Sequence, residues 1–134
     1  MQDSNSLDIT VDQVKLNAWF NLMPGSKPSF HLLGKLNIKN NNNNTIENLK
    51  LQQGIIYNGT TEVVKFTPVV TNQANGSGFN VLPKETKEFT FALPDKIRIE
   101  NMADIKEINL LLKFSSNGKT YDYAINNVNI EKVY

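Results

Sequence analysis

Few residues in this chain are of a type that does chemistry. It contains one His, His31, and no Cys. A single His acts as a general base only beside a nucleophile and an orienting carboxylate. His31 lies in an alternating segment, on the parity opposite to its apolar neighbours, and reads as a surface residue of a half-buried sheet. Without Cys there is no disulfide, thiolate metal site or thiol nucleophile, and one His alone makes no zinc-ligand set. Carboxylates are scattered, with close pairs at Asp8 and Asp12 and at Glu85 and Glu88. The second pair is interleaved with Lys84 and Lys87, the pattern of a solvated, charge-balanced rim. Glycosidase chemistry needs two acids facing each other across a cleft. The sequence has no D-x-D-x-D-G calcium loop, no G-x-x-x-x-G-K-[ST] phosphate loop and no G-x-S-x-G nucleophile turn. The expectation is a protein that is no enzyme and carries no cofactor and no metal.

The aromatic residues are the other candidates. Trp19, Tyr57, Tyr121, Tyr123 and Tyr134 are of the type that builds a stacking platform for sugars or single-stranded nucleic acid. Tyr57, Tyr121 and Tyr123 share the parity of their core-facing neighbours, which assigns them to packing. Trp19, between Ala18 and Phe20, has the opposite parity. It either covers the outer face of a sheet or belongs to a contact surface. Pro68 interrupts a strand and cannot donate to a ladder, so that strand should lie at an edge or carry a bulge. Trp19 and the Pro68 edge form the expected interaction surface. The competing surface is one end of the domain, where the loops 40–45, 71–78 and 115–119 would cluster if the strands alternate up and down.

The elements that must position these residues are strands. Leu7, Ile9 and Val11 share one parity, and Val14, Leu16, Ala18, Phe20 and Leu22 the other. The switch at Asp12-Gln13 demands a bulge or a change of sheet. Phe30, Leu32, Leu36 and Ile38 face inward, with Gly34 at an inward position where a large neighbour needs room. Further strands are expected at Leu49–Tyr57, Val64–Val70, Phe79–Leu82, Phe89–Leu93 and Ile108–Phe114. Asn117-Gly118 fits a two-residue type I′ turn, pairing Leu110–Phe114 with Tyr121–Ile125. The last strand continues to Val128 and Ile130 past a bulge at Asn126-Asn127. A single helical turn fits residues 101–106. Seven or eight short strands with turns between them mark an all-β antiparallel sandwich.

The 134 residues suit one domain, with 1–6 as a polar tail or tether and 7–134 as a single β-sandwich. Hydrophobic residues at 40% support a packed core. Fourteen basic residues against thirteen acidic leave +1, which argues against a nucleic-acid or membrane-surface binder, and no apolar run is long enough to span a bilayer as a helix. Twenty residues are Asn, and thirteen of the fourteen basic residues are Lys, the bias of an AT-rich genome. The sequons at Asn43, Asn58 and Asn75 are as many as chance gives at that Asn content. The start shows no signal-peptide pattern. The expectation is an extracytoplasmic domain, periplasmic or at the cell surface, either exported or held by a lipid anchor outside this sequence; the alternative is a cytoplasmic one.

Four short motifs carry a resemblance: Ile38-Lys39-Asn40, Ile56-Tyr57-Asn58-Gly59, Pro83-Lys84-Glu85-Thr86 and Phe89-Thr90-Phe91. Over roughly residues 30–93 the chain resembles the immunoglobulin-like FxLYD-type domains and the late-embryogenesis-abundant type 2 (water-stress) domains. It departs from both: the Leu-Tyr-Asp of the first is absent, and the Asn-Pro-Asn of the second reads Asn-Asn-Asn. The resemblance implies an immunoglobulin-like sandwich with Greek-key connections and a non-enzymatic accessory role in exported or membrane-anchored proteins, with no ligand specified. The functional expectation is a binding or assembly module for a protein partner. The alternatives are a carbohydrate-binding module, which needs an exposed row of aromatics, and a small proteinase-inhibitor-like sandwich, which needs a rigid protruding loop.

Overall fold

The computed structural model describes residues 7–25, 27–70, 78–94 and 104–134, apart from the side chain of Val14. The strands are β1 (Ile9–Asn21), β2 (Ser29–Asn40), β3 (Ile46–Asn58), β4 (Thr61–Phe66), β5 (Val69–Val70), β6 (Phe79–Val81), β7 (Thr86–Ala92), β8 (Glu107–Ser116) and β9 (Lys119–Val133). They hydrogen-bond as one continuous ladder, β4-β3-β8-β9-β1-β2-β7-β5, with β6 on the start of β3; its halves β1-β2-β7-β5 (the first sheet) and β4-β3-β8-β9 (the second) are joined by the parallel β9–β1 pairing. Phe89 of the first sheet meets Phe114 of the second edge-to-face at 5.9 Å, and Phe79 of β6 packs on Phe89 at 4.5 Å. The core therefore lies between the sheets, as the alternating pattern requires. Hairpins join β1–β2, β3–β4 and β8–β9, and the remaining connections change sheets, an arrangement compatible with an immunoglobulin-like Greek key. The strand count exceeds eight because the expected Val64–Val70 strand is two. β4 is the edge of the second sheet, β5 the edge of the first, and Thr67-Pro68 is the crossover.

The parity switch in β1 is a bulge. Gln13 pairs with Leu36 and Lys15 with Lys35, so Val14 is the extra residue. The bulge lets Ile9 and Val11 on one side of it and Ala18 and Phe20 on the other all reach the core. The β8–β9 hairpin has the expected register, Leu110 with Ile125 and Phe114 with Tyr121. Its turn residues Asn117 and Gly118 have φ of 47° and 81°, the left-handed pair a type I′ turn needs. Beyond it, Asn126-Asn127 bulges against Asn109. The Asn109 amide ties the bulge down: Oδ1 accepts from the Asn127 N–H and Nδ2 donates to the Gly59 carbonyl, both at 3.0 Å.

One expected orientation is corrected. Tyr57 does not share the core face with Leu49 and Leu51. Leu51 pairs with Phe114 and Gln53 with Lys113, so Gln52 is a bulge that reverses the parity of the rest of β3. Gly54 and Ile56 then face the core, and Tyr57 stands on the outer face beside Asn109. Gly34 and Gly54 serve the same purpose in the two sheets. A Cβ on Gly34 would lie 2.4 Å from the Phe91 ring, and one on Gly54 2.3 Å from the Phe66 ring. Each glycine leaves room for a cross-strand Phe to lie over the backbone.

Two of the motifs behind the family resemblance meet. Asn40 is fully buried. Its Nδ2 donates to the carbonyls of Asn44 (2.8 Å) and Val81 (2.9 Å), and its Oδ1 accepts from the Asn42 N–H (2.8 Å). Its backbone exchanges two hydrogen bonds with the Lys84-Glu85 turn. Burial of an amide is tolerable only with its groups paired, and here the pairing locks the Asn loop to the β6–β7 turn. Of the expected helical turn, residues 101–103 lie outside the described residues.

Candidate interaction surface

Ala18 and Phe20 point into the core, so the pleat puts Trp19 on the outer face of the first sheet. There it faces His31 across the β1–β2 pair. The two rings stack with centroids 5.2 Å apart and planes 19° from parallel, and His31 Nε2 is hydrogen-bonded to Ser29 Oγ at 2.9 Å. Each ring covers one face of the other, and both residues are half-buried.

The register gathers further apolar residues around this pair. Asn17, Leu33, Ala92 and Val69 stand opposite one another on β1, β2, β7 and β5, and directly opposed residues share a face. Val133 pairs with Asn21 on the next row beyond Trp19. Leu33 is 37% exposed, Val69 47% and Val133 37%, so each of these side chains presents apolar area to solvent. The other half of the same face is polar: Lys15 opposes Lys35, Asp12 opposes Asn37, and Lys35 bridges to Glu88 at 3.6 Å. The outer face thus divides into an end that carries the exposed apolar groups, with the Glu131 carboxylate opposite Trp19, and an end dominated by charge.

Of the two residues singled out from sequence, Trp19 lies in this patch and Pro68 does not. Pro68 is buried at the crossover between sheets, where its lack of an N–H removes a donor that would otherwise need a partner. Its neighbour Val69 carries the exposed apolar group. Leu33, Val69 and Val133 were missed because each looks like an ordinary strand residue. Leu33 did leave a signal, being a large apolar residue on outward parity.

The loop surface is only partly assembled. Loop 41–45 and the turn at 117–118 share one end, where Asn41 N–H donates to Asp8 O, Leu7 N–H to Thr120 O and Ser116 Oγ to Glu47 O. Of the third expected loop, 71–78, residues 71–77 lie outside the described residues, and the Leu82–Glu85 turn joins this end. The paired acids do not converge on a cleft: Glu85 accepts from the Leu82 N–H, and Glu88 lies on the outer face beside Lys35. Among the described residues no three His, Asp or Glu side chains gather as metal ligands.

The margin between β1 and β9 is open. The strands pair in parallel from Ala18–Ile130 to Asn21–Val133 and part on the N-terminal side of that ladder. Leu7 N–H to Thr120 O closes the far end at 3.0 Å. Tyr121 and Tyr123 border this margin on the inner face, opposite Phe114 and Leu112. Burial raises the Tyr123 pKa above the usual tyrosine value, and the Asp12 carboxylate and Tyr121 add to the shift.

No protein-family model and no curated protein sequence matches the chain. Solved structures do. Northeast Structural Genomics Consortium target SoR45 matches over 92% of this chain and 86% of its own, with a TM-score of 0.51 and 13% identity. The sporulation control protein Spo0M of Bacillus subtilis matches over 92% of this chain and 48% of its own, at 0.42 and 18%. An uncharacterised β-sandwich protein of Clostridium difficile matches over 93% and 89%, at 0.37 and 17%. At these identities the likeness is one of fold, and the first match carries it.

Proposed function

We propose that this domain is a non-enzymatic binding or assembly module that docks a protein partner on the apolar end of the first sheet's outer face. One observation carries the reading: the exposed side chains of Leu33, Val69 and Val133 share one outer face with Trp19, at the end where the only charged neighbour of Trp19 across β1–β9 is Glu131. The outer face of an antiparallel sandwich is ordinarily polar, and contiguous exposed apolar area marks contact sites. A Trp already held by a stacked neighbour is a good anchor, because little side-chain entropy is lost on docking. The aromatic row that a carbohydrate platform would need is not supported, since Tyr121 and Tyr123 turn to the inner face and Tyr57 lies on the other sheet.

The test is site-specific photocrosslinking in the source cell, with the reactive residue placed in turn at Trp19, Leu33 and the loop position Asn43. A single protein adduct from positions 19 and 33, lost on Val69→Asp, is the expected result. Adducts from position 43 alone would move the contact to the loop end and refute the proposal.

A further inference from the structure

A cleft of about 290 Å³ opens in the crotch where β1 and β9 part. Five carboxamides edge it: Gln13, Asn17, Asn126, Asn127 and Asn129. Asn is roughly one residue in seven of this chain, so ten lining positions would carry about one or two by composition alone. They carry four, and Gln13 besides. Asn127 has a local reason to be there, its φ of 58°, which Asn tolerates better than most residues. The others have none: no hydrogen bond within the described residues uses the side chains of Gln13, Asn17, Asn126 or Asn129. Asn17 and Asn129 are the first residues beyond the parallel ladder, on opposite sides of the fork. Leu16, Ala18, Ile125 and Val128 supply an apolar floor, and Glu131 is the only charged residue of the lining.

We infer that this fork is a binding site for one neutral, polyhydroxylated ring, a single sugar unit. Each carboxamide offers both a donor and an acceptor, which is what hydroxyl groups need, since they also do both. An apolar floor suits the C–H face of such a ring. A phosphate or carboxylate ligand would need cationic or multiple N–H donors, and the only charge here is negative. The volume falls just below the range of about 300–1,000 Å³ for small-molecule pockets, which fits one ring rather than a chain. An extended peptide is disfavoured because bulges at Val14 and Asn126-Asn127 interrupt both strand edges at the cleft, and strand addition needs a regular edge. Strands that are tied at both ends of the opening hold the amides in place, so little ordering is left for the ligand to impose. The inference stands apart from the protein-docking proposal, whose surface the cleft adjoins at Asn17.

The experiment is a titration followed by the side-chain NH2 and backbone resonances of the 15N-labelled protein. The probes are common hexoses and N-acetylhexosamines, each as the free sugar and as the methyl glycoside. The expected result is saturable shifts at Asn17, Asn126 and Asn129 for a subset of the sugars, at millimolar affinity. Asn17→Ala and Asn129→Ala, both at exposed positions, should each weaken binding by about tenfold, the worth of a lost hydrogen bond, without changing the melting temperature. Binding by the glycoside but not the free sugar assigns the site to a glycan terminus; binding by both assigns it to free sugar as well. Val69→Asp, three strands away from Asn17, should leave sugar binding intact, which separates this inference from the docking proposal. No saturable shift at about 50 mM of any probe, well above the weak affinity expected of one ring, overturns it. Shifts that survive both Asn variants, or that appear instead with an extended ten-residue peptide, overturn it too.

Discussion

Gly34→Ala probes the packing that supports both faces of the first sheet. The added Cβ would lie 2.4 Å from Cε1 and Cζ of Phe91 and 3.1 Å from Cδ1 of Leu16. Carbon atoms pack at about 3.5–4.0 Å, so the ring has to move by about 1 Å. It has nowhere to go, because Phe91 is fully buried and β2 is held between β1 and β7. Overpacking of this kind costs about 1–3 kcal/mol. Replacing Gly by Ala returns about 0.4–1 kcal/mol by restricting the unfolded chain. The expected net loss is about 1–2 kcal/mol, or about 0.5–1 M in the urea midpoint with the slope unchanged. Leu16 also floors the cleft between β1 and β9, so the same variant should perturb resonances there. Phe91→Leu combined with Gly34→Ala should recover part of the loss, with a coupling of about 1 kcal/mol in a double-mutant cycle. A Gly34→Ala protein as stable as the parent, or strictly additive losses in the double variant, would refute the claim that the glycine exists to admit the ring.

Asn40→Ala should destabilise by about 2–3 kcal/mol in urea melts, because it strands the Val81 carbonyl in a buried site and frees the loop; Asn43→Ala, at an exposed position of the same run, should change stability by less than about 0.5 kcal/mol. Gly118→Val should cost at least about 1–2 kcal/mol, since a β-branched residue resists the φ of 81°, and an unchanged melting temperature would count against the turn. Tyr123 has a folded pKa above its ordinary value of 10.0, so the stability this group contributes is present at neutral pH and falls as pH rises through the raised pKa. Tyr123→Phe should flatten that alkaline loss in melts from pH 8 to pH 11, and Asp12→Asn should bring the phenolate absorbance titration of Tyr123 closer to the ordinary value.

Much of the fold was legible in the chain because its signals are local. Period-two alternation located the strands, the parity break at Asp12-Gln13 located the β1 bulge, and Asn117-Gly118 gave both the turn and the register of β8 with β9. Gly34 at an inward position announced a large neighbour, and tertiary structure supplied its name, Phe91. Where alternation was trusted across an unseen bulge, at Gln52, the orientation of Tyr57 came out reversed. A bulge inserts one residue without any obligatory sequence mark, so a parity argument fails beyond it.

The surface was less legible, for a different reason. The outward position of Trp19 followed from its two neighbours alone. That Leu33, Val69 and Val133 join it depends on pairing between β2, β7, β5, β1 and β9, residues far apart in sequence. Pro68 shows the same limit, since its sequence marks an interruption of the strand but not whether the chain stays at an edge or crosses buried to the other sheet. The cleft depends on the same non-local information: four strand residues look like solvated amides until β9 turns to run parallel with β1 and the two part around them. Sequence by itself determined which residues face in or out within each strand, because that is set by the backbone period and by turn residues a few positions away. Tertiary structure decided which outward residues become neighbours, because sheet order and register come from burying all the inward ones at once.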